Sequence, residues 1–276
     1  MIRIVSDSAS NLYTLDGFDY KCVPMKIVTE KAQYVDEPGL DVSAMLDEIA
    51  QTKGRSGSSC PNVDEWLGAF EGADEVIAVA ISSNMSGSYN AAHLAAEQYM
   101  QEHPGAKVYA VDTLSAGPGL HMVIDQLCDS IRAGLSFEEV VAAHQAYLPT
   151  VRMLFVLKSF HNLAANGRVN PAVAALCGML NIRLLSAASE TGTVKVLHKC
   201  RGDKKLLATL QKEIIDSGFD GKRLRITHIQ NEEMANTVAD FARSIAPDCD
   251  IQIVPATALC GFYAERGGIM LSYATK

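Results

Sequence analysis

Short apolar runs alternate along most of the chain with longer segments in which apolar residues recur at helical spacing. This alternation is typical of parallel β-strands joined by crossover helices. One strand, loop and helix unit covers residues 76 to about 100, and a second covers 107–131. In both units the loop after the strand is rich in serine and glycine. The pattern therefore predicts an α/β fold with polar loops at the carboxyl ends of its strands.

The regular units stop near the middle of the chain. Ser136 and Glu139 have the spacing of a capping box, which predicts a helix that runs to about Tyr147, and Pro149 ends it. The elements predicted after Pro149 are a strand over 151–157, helices ending near Gly167 and over 171–180, a hairpin turn at 190–193, helices over 204–217 and 232–245, and strands over 223–229 and 251–254.

The change of pattern predicts two α/β domains with a boundary near residue 150. Residues 1–150 are expected to form a mostly parallel sheet with helices on both faces, and they carry the serine-rich loops. Residues 151–276 are expected to form a second α/β domain with a mixed sheet.

Composition excludes several classes of protein. Of the 276 residues, 48% are hydrophobic and 20% are charged, as in folded globular proteins. Acidic residues outnumber basic ones by 32 to 24 and no long basic block occurs, so we expect no nucleic-acid partner. There is no apolar stretch of about 18 residues, no signal-peptide pattern and no CxxC spacing among the seven cysteines. These observations predict a cytoplasmic location.

The common local motifs of catalytic and cofactor sites do not occur in the sequence. G-x-S-x-G and G-x-x-x-x-G-K-[ST] are absent, and Met122 stands where a dinucleotide loop starting at Gly117 would need its third glycine. The seven histidines lack the close spacing of a helix-borne zinc site. We therefore expect no catalytic residue, no cofactor and no metal in this chain.

Two serine-rich segments are the candidate binding loops. Residues 82–88, Ser-Ser-Asn-Met-Ser-Gly-Ser, lie between a strand and a helix start, where free N–H groups and the helix dipole favour an anion. Residues 56–62 form a second polar segment before another helix. If the two converge, they can hold a carboxylate or a phosphate. The alternative is that Ser86 or Ser88 only caps its helix.

The most basic segment is Lys-Cys-Arg-Gly-Asp-Lys-Lys over residues 199–205. One interpretation is a solvated loop between a hairpin and a helix. The other is a docking patch for an acidic or phosphate-bearing partner.

Five separated segments, in order, resemble those of DegV family proteins over essentially the whole length. They are the opening strand and Asp-Ser turn at 4–9, Ser-Ser-Cys-Pro-Asn at 58–62, the Ser-Gly-Ser-Tyr loop within 81–89, the stretch from Leu-Lys to Gly-Arg-Val over 157–169, and Leu-Asn-Ile at 180–182 with Arg-Gly-Asp-Lys-Lys at 201–205. Two positions depart from the family pattern, because Cys60 replaces a glutamine and Tyr263 stands where a histidine is common.

The resemblance implies a lipid-binding protein that is not itself an enzyme. One long-chain fatty acid would lie in a buried tunnel with its carboxylate in the crevice between the domains. A separate fatty acid kinase would then phosphorylate the carboxyl group to an acyl phosphate. By the same resemblance, the head-group residues would be Ser58, Ser59, Ser86, Gly87 and Tyr263.

The resemblance also implies a kinase-binding surface, for which the candidates are Arg168, Arg201, Lys204 and Lys205, and it allows transient contact with a membrane surface. Apolar residues dense in the second half are candidates for the tunnel wall, although each can equally be ordinary core: Leu154, Phe155, Phe160, Leu163, Leu176, Met179, Leu180 and Ile182. Two other functions stay open at this point. One is an enzyme acting on a small carboxylated or phosphorylated metabolite, and the other is a protein-interaction module that uses the basic segment.

Overall fold

The computed structural model describes residues 1–51, 54–177 and 182–276. Its strands are β1 Ile2–Asp7, β2 Tyr20–Val23, β3 Lys26–Thr29, β4 Gln33–Val35, β5 Ser56–Ser59, β6 Glu75–Ala80, β7 Lys107–Asp112, β8 Val151–Leu157, β9 Ile182–Ala188, β10 Val194–Arg201, β11 Phe219–His228, β12 Asp250–Pro255 and β13 Ile269–Thr275. Its α-helices are α1 Val42–Gln51, α2 Val63–Phe70, α3 Ser88–Glu102, α4 Pro118–Arg132, α5 Phe137–Tyr147, α6 His161–Ala165, α7 Pro171–Cys177, α8 Asp203–Asp216, α9 Glu232–Ile245 and α10 Ala258–Ala264.

The first sheet is parallel and has the strand order β2-β1-β6-β7. Strand β6 is buried along nearly its whole length because both of its faces are covered. Ile77 and Val79 point into one apolar cluster, whereas Val76, Ala78 and Ala80 point into another that contains residues of α2 and α3. This arrangement confirms a parallel sheet with helices on both faces.

The second sheet is mixed and has the order β10-β9-β8-β13-β11-β12. Only the β11–β12 pair is parallel among its pairings. Phe155 and Leu157 of β8 join the same apolar cluster as Ile77 and Val79 of the first sheet. One continuous core therefore draws side chains from both sheets, and the α/β fold class with a mixed C-terminal sheet is confirmed.

A third, small antiparallel sheet with the order β4-β3-β5 was not expected from the sequence. Its strand β5 places Ser58 opposite Ile27, whose side chain is fully buried in the shared core. The helix after β5 starts with a capping box, in which Asn62 accepts a hydrogen bond from the Glu65 N–H and Glu65 accepts one from the Asn62 N–H. The serine-rich segment is therefore fixed at both ends.

The local signals read from the sequence agree with the observed elements. The capping box of Ser136 and Glu139 starts α5, and the hairpin turn lies between β9 and β10, where the Gly192 N–H donates to Ser189 O. The helix predicted over 171–180 is seen as α7 up to Cys177, beyond which the next four residues lie outside the described structure. No helix in the described ranges has both the length and the apolar character that a membrane crossing needs.

Candidate functional site

A largely apolar cavity lies where the polar loops of the first half face the second sheet. Its wall includes Ile81, Met153, Phe155, Leu163 and Met270. Four polar side chains of the lining, those of Ser58, Ser86, Arg168 and Tyr263, lie close to one another and form what we call its polar end. The lining also includes the hydroxyls of Ser115 and Thr193, and the rest of it is largely apolar.

Ser58 and Tyr263 form a hydrogen bond across this end. Their hydroxyl oxygens are 2.8 Å apart and either can be the donor. Each hydroxyl carries one hydrogen, so when one donates to the other, the acceptor's own hydrogen is left for a third group. The pair can therefore accept or donate once more toward the cavity.

Helix α10, which carries Tyr263, is held by a buried carboxylate. Asp36 is fully buried and accepts hydrogen bonds from the backbone N–H groups of Ala258 (2.8 Å) and Leu259 (3.0 Å) at the start of the helix. It also accepts hydrogen bonds from the hydroxyls of Ser8, at 2.8 Å, and Tyr13, at 2.7 Å. These contacts tie α10 to the N-terminal segment. Asp36 has no local sequence signal, because the helix that it holds lies more than 200 positions away along the chain.

Ser86 lies in the loop between β6 and α3, and the loop's own bonds leave its hydroxyl hydrogen available. The backbone N–H of Ser88 donates to Ser86 Oγ at 3.3 Å, so the oxygen acts as an acceptor there. The N–H groups of Met85 and Ser86 donate to Ser82 O. Ser86 can therefore still donate its own hydrogen to an anion in the cavity.

The two serine-rich segments meet at this end of the cavity. A Cβ added to Gly87 would lie 3.3 Å from Cys60 Sγ, so the residue after β5 packs against the start of α3. Ser58 and Ser86 line the same cavity. Ser58, Ser86 and Tyr263 thus line one cavity, and Gly87 follows Ser86 outside the lining.

Arg168 supplies a positive charge beside these hydroxyls. Its Nε donates to Met85 O at 3.1 Å, and its guanidinium lies 5.8 Å from the centre of the Tyr263 ring. The family resemblance makes Arg168 a candidate kinase contact, and in the structure it lies in the wall of the cavity. A half-buried guanidinium next to hydroxyl donors favours a carboxylate or a phosphate.

The tip of the β9–β10 hairpin covers another part of the cavity. Gly192, Thr193 and Val194 line it, and Asn84 Nδ2 donates to Thr191 O at 2.8 Å. Gly192 has φ +73°, and a Cβ there would lie 2.2 Å from Ser82 Oγ and 2.8 Å from Leu114 Cα. The hairpin can approach the first half this closely only because this residue is glycine. Sequence reasoning identified the turn but not this contact.

Two residues proposed for the site lie elsewhere. Ser59 is exposed and outside the cavity lining, because it follows Ser58 on β5 and successive strand residues point to opposite faces. Leu154 points away from the cavity for the same reason, into the cluster that contains Leu206 and Leu210 of α8. Its neighbours Met153 and Phe155 line the cavity instead.

The remaining candidates for the apolar wall divide into three groups. Phe155 and Leu163 line the cavity. Phe160, Leu176 and Ile182 belong to the shared core or pack against it, outside the lining. Met179 and Leu180 lie outside the described residues.

The basic segment is solvent-exposed and separate from the cavity. Arg201 ends β10, and Lys204 and Lys205 stand in the first turn of α8, all three exposed. Asp203 between them forms an ion pair with Arg183 at 2.9 Å. These three side chains are exposed to solvent and do not belong to the lining of the cavity.

The chemistry of the lining favours binding. Within the described ranges, it contains no histidine and no carboxylate, and no group of three His, Cys, Asp or Glu residues could hold a metal. Burial raises the pKa of the Cys260 thiol in the cavity wall to about 12, with nearby Asp36 acting in the same direction. This cysteine is therefore a neutral thiol at pH 7 and a poor nucleophile.

Comparisons with known proteins agree with this geometry. The chain is 38% identical over 275 residues to a DegV domain-containing protein of Streptococcus pneumoniae serotype 4, and 35% identical to one of Streptococcus gordonii, with 98% of each chain covered.

Two solved structures superpose on the whole chain with a TM-score of 0.97. One is a DegV family protein from Eubacterium eligens loaded with heptadecanoic acid, 43% identical, with 100% of both chains covered. The other is the Streptococcus pneumoniae Fatty Acid Kinase (Fak) B3 protein loaded with linoleic acid, 37% identical, covering 100% of this chain and 99% of that one. Residues 1–276 also match the sequence model described as "Uncharacterised protein, DegV family". The chain belongs to the DegV family.

Proposed function

We propose that this protein binds one long-chain fatty acid, with the carboxylate at the polar end of the cavity and the hydrocarbon along its apolar wall. The observation that carries the proposal is the hydrogen-bonded pair of Ser58 and Tyr263, which stands with Ser86 and Arg168 in the wall of a largely apolar cavity. The two solved relatives at 43% and 37% identity, loaded with heptadecanoic and linoleic acid, support this ligand class.

The hydrocarbon supplies most of the affinity. Each buried methylene contributes about 0.8 kcal/mol, so a chain of about 16 carbons has a gross transfer free energy near 12 kcal/mol. Loss of translational, rotational and chain freedom offsets a large part of this gain. This gain requires only an apolar wall, such as that formed by Met153, Phe155 and Met270.

The polar end sets the direction in which the ligand lies. A carboxylate that leaves water needs donors to replace its hydration. Here it would receive the hydrogen left by the Ser58–Tyr263 pair, the hydroxyl hydrogen of Ser86 and the guanidinium of Arg168. Gly87 adds the positive end of the 15-residue helix α3. We infer that this set replaces Ser59, which points outward.

The protein would serve as the binding subunit of a fatty acid kinase and would have no chemistry of its own. A separate enzyme would transfer the phosphoryl group to the bound carboxylate, which becomes an acyl phosphate. The kinship with the Fak B3 protein supports such a partner. Exposed Arg201, Lys204 and Lys205 are the proposed docking side chains, and Arg168 in the cavity wall is a further candidate for contact with the kinase.

The remaining elements of the proposal concern organisation and setting. We propose two domains that meet near residue 150, with a cavity lined by residues of both halves rather than by the second half alone. We also propose a cytoplasmic location, transient contact with a membrane surface during ligand exchange, and no nucleic-acid partner. The net charge of −8 supports the absence of a nucleic-acid partner.

The test is to identify the ligand and then remove its head-group contacts. Mass spectrometry of the denatured protein is expected to release a long-chain fatty acid. The double variant Ser58→Ala/Ser86→Ala is expected to bind palmitic acid at least tenfold more weakly, whereas its melting temperature falls by only about 2–4 °C for each kcal/mol of hydrogen bonding that is lost. Ser59→Ala is the matched control, because it removes a neighbouring serine that faces solvent.

Two outcomes would overturn the proposal. The first is that several preparations contain no lipid and that added fatty acid does not bind. The second is catalytic turnover of a small carboxylated metabolite, lost in Ser86→Ala, by protein that is free of lipid.

A further inference from the structure

Asp7 lies directly beneath the loop that carries Ser86. It is the last residue of β1 and is fully buried. Strand β1 is the parallel neighbour of β6, so its carboxyl end lies beside the point where the β6–α3 loop begins. From sequence, the Asp-Ser turn here is only one of the segments that resemble the family, and the proposed head-group contacts do not include Asp7.

One oxygen of Asp7 joins both ends of that loop. Oδ2 accepts a hydrogen bond from the backbone N–H of Ile81 at 3.0 Å and another from the hydroxyl of Ser88 at 2.7 Å. Ile81 is the first residue after β6, and Ser88 is the first residue of α3. The six residues between them, 82–87, therefore form an arch whose two ends rest on a single carboxylate oxygen.

The position of Ser88 in turn determines that of Ser86. The Ser88 N–H donates to Ser86 Oγ at 3.3 Å, and the Ser86 N–H donates to Ser82 O at 3.1 Å. If the Ser88 side chain were released from Asp7, the start of α3 could shift and Ser86 would shift with it. A chain of hydrogen bonds thus links the buried carboxylate to the head-group hydroxyl.

The surroundings of Asp7 make this support sensitive to protonation. The charged or titratable groups that act on it are Asp36 beyond β4, Tyr20 and Cys22 on β2, and Cys260 on α10. Within the described ranges, Asp7 has no ion pair with a cation. Burial raises the pKa of Asp7 to about 6, and the negative charge of Asp36 adds to the rise, against the lowering effect of its hydrogen bonds.

We propose that Asp7 is a positioning residue for the fatty-acid head group: its carboxylate fixes both ends of loop 82–87 and thereby sets the place of the Ser86 hydroxyl. The ionised group accepts from Ile81, Ser88 and Ala9 at once. A proton on the carboxyl removes its negative charge and weakens these charge-assisted hydrogen bonds, so the arch is held less firmly. The inference rests on the proposed function, because Ser86 matters to binding only if the cavity holds an acid.

The experiment measures palmitic acid affinity by displacement of a fluorescent fatty acid from delipidated full-length protein. Ser88→Ala and Asp7→Asn are each expected to raise the dissociation constant at least fivefold at pH 7.5. Asp125→Asn is the control, because it removes another largely buried carboxylate that pairs with Arg225 away from the cavity. Its dissociation constant is expected to stay within twofold of the wild type.

The pH dependence separates positioning from a general loss of structure. Protonation of palmitic acid affects wild type and variant alike, so the ratio of their dissociation constants isolates Asp7. The ratio of Asp7→Asn to wild type is expected to fall from at least five at pH 7.5 toward one at pH 5. A ratio that is constant with pH, or Ser88→Ala binding like the wild type, would refute the role of Asp7.

Amide hydrogen exchange distinguishes failure of this inference from failure of the proposed function. In ligand-free Asp7→Asn, amides of residues 82–87 are expected to exchange at least tenfold faster than in the wild type at pH 7.5, with β6 unchanged. This result would support the arch even if no fatty acid bound to the wild type, which would defeat the proposed function alone. Unchanged exchange in this loop would defeat the inference alone.

Discussion

Gly192→Ala tests how the hairpin tip closes the cavity. Gly192 has φ +73°, where an alanine costs about 1 kcal/mol relative to glycine. The new Cβ would also lie 2.2 Å from Ser82 Oγ, which can rotate away, and 2.8 Å from Leu114 Cα, which cannot. The hairpin must therefore move away from Ser82 and Leu114. This movement lowers the free energy of unfolding by about 1–2 kcal/mol, which includes the loss of the hydrogen bond from Asn84 to Thr191 O.

The matched control for this prediction is Gly218→Ala. Gly218 also has a positive φ, +84°, but a Cβ there meets open space. Its substitution should cost only the backbone component of about 1 kcal/mol. The difference between the two variants, about 1–2 kcal/mol, measures the close approach of the hairpin alone.

Two assays read this difference. Urea denaturation should place the free energy of unfolding of Gly192→Ala about 1–2 kcal/mol below that of Gly218→Ala. Stopped-flow displacement should show bound fatty acid leaving Gly192→Ala about tenfold faster than Gly218→Ala, since 1.4 kcal/mol corresponds to a factor of ten. Equal stabilities and equal dissociation rates in the two variants would show that the tip does not close the cavity.

Three further predictions follow from neighbouring features. Phe155→Ala should lower fatty-acid affinity at least tenfold, because Phe155 lines the cavity. Leu154→Ala, on the opposite face of the same strand, should lower the free energy of unfolding by about 3 kcal/mol and leave the affinity unchanged. Equal losses of affinity in the two variants would contradict the assigned faces. Because the pKa of Asp7 is raised to about 6, the folded state binds this proton more tightly than the unfolded chain does. The free energy of unfolding should therefore fall by up to about 3 kcal/mol as pH rises from about 4 to 6. Urea denaturation of Asp7→Asn should not show this fall. Arg225 is 2% exposed and pairs with Asp125 at 2.7 Å. Arg225→Met should lower the free energy of unfolding, measured by urea denaturation, by about 3 kcal/mol. A decrease below 1 kcal/mol would contradict the bridging role of Arg225.

The parts of the fold that the sequence predicted are those with local causes. The turn chemistry around Gly192 and the capping box of Ser136 and Glu139 depend on neighbours within a few residues, so their patterns are visible in the chain. The two serine-rich segments could be expected to converge because the carboxyl ends of parallel strands share one edge. In fact Ser58 lies on a separate small sheet, which delivers it to the same cavity.

The parts that could not be predicted depend on contacts between distant residues. Asp36 supports α10 from more than 200 positions away, and nothing in its local sequence signals that. The pairing of Tyr263 with Ser58 likewise joins residues 205 positions apart. Leu154 is different, because the alternation of side chains along a strand already separates it from Phe155. A stricter use of that period would have removed it from the predicted wall.

Because the two sheets share one apolar cluster, each half of the chain depends on the other for its packing. Ile77 and Val79 from the first sheet and Phe155 and Leu157 from the second bury one another. A cut near residue 150 would expose an apolar face on each fragment. Recombination could then not replace one half by the corresponding half of another protein whose apolar face has a different shape. A change of cavity shape made in one half would therefore meet a wall from the other half that still has its original shape.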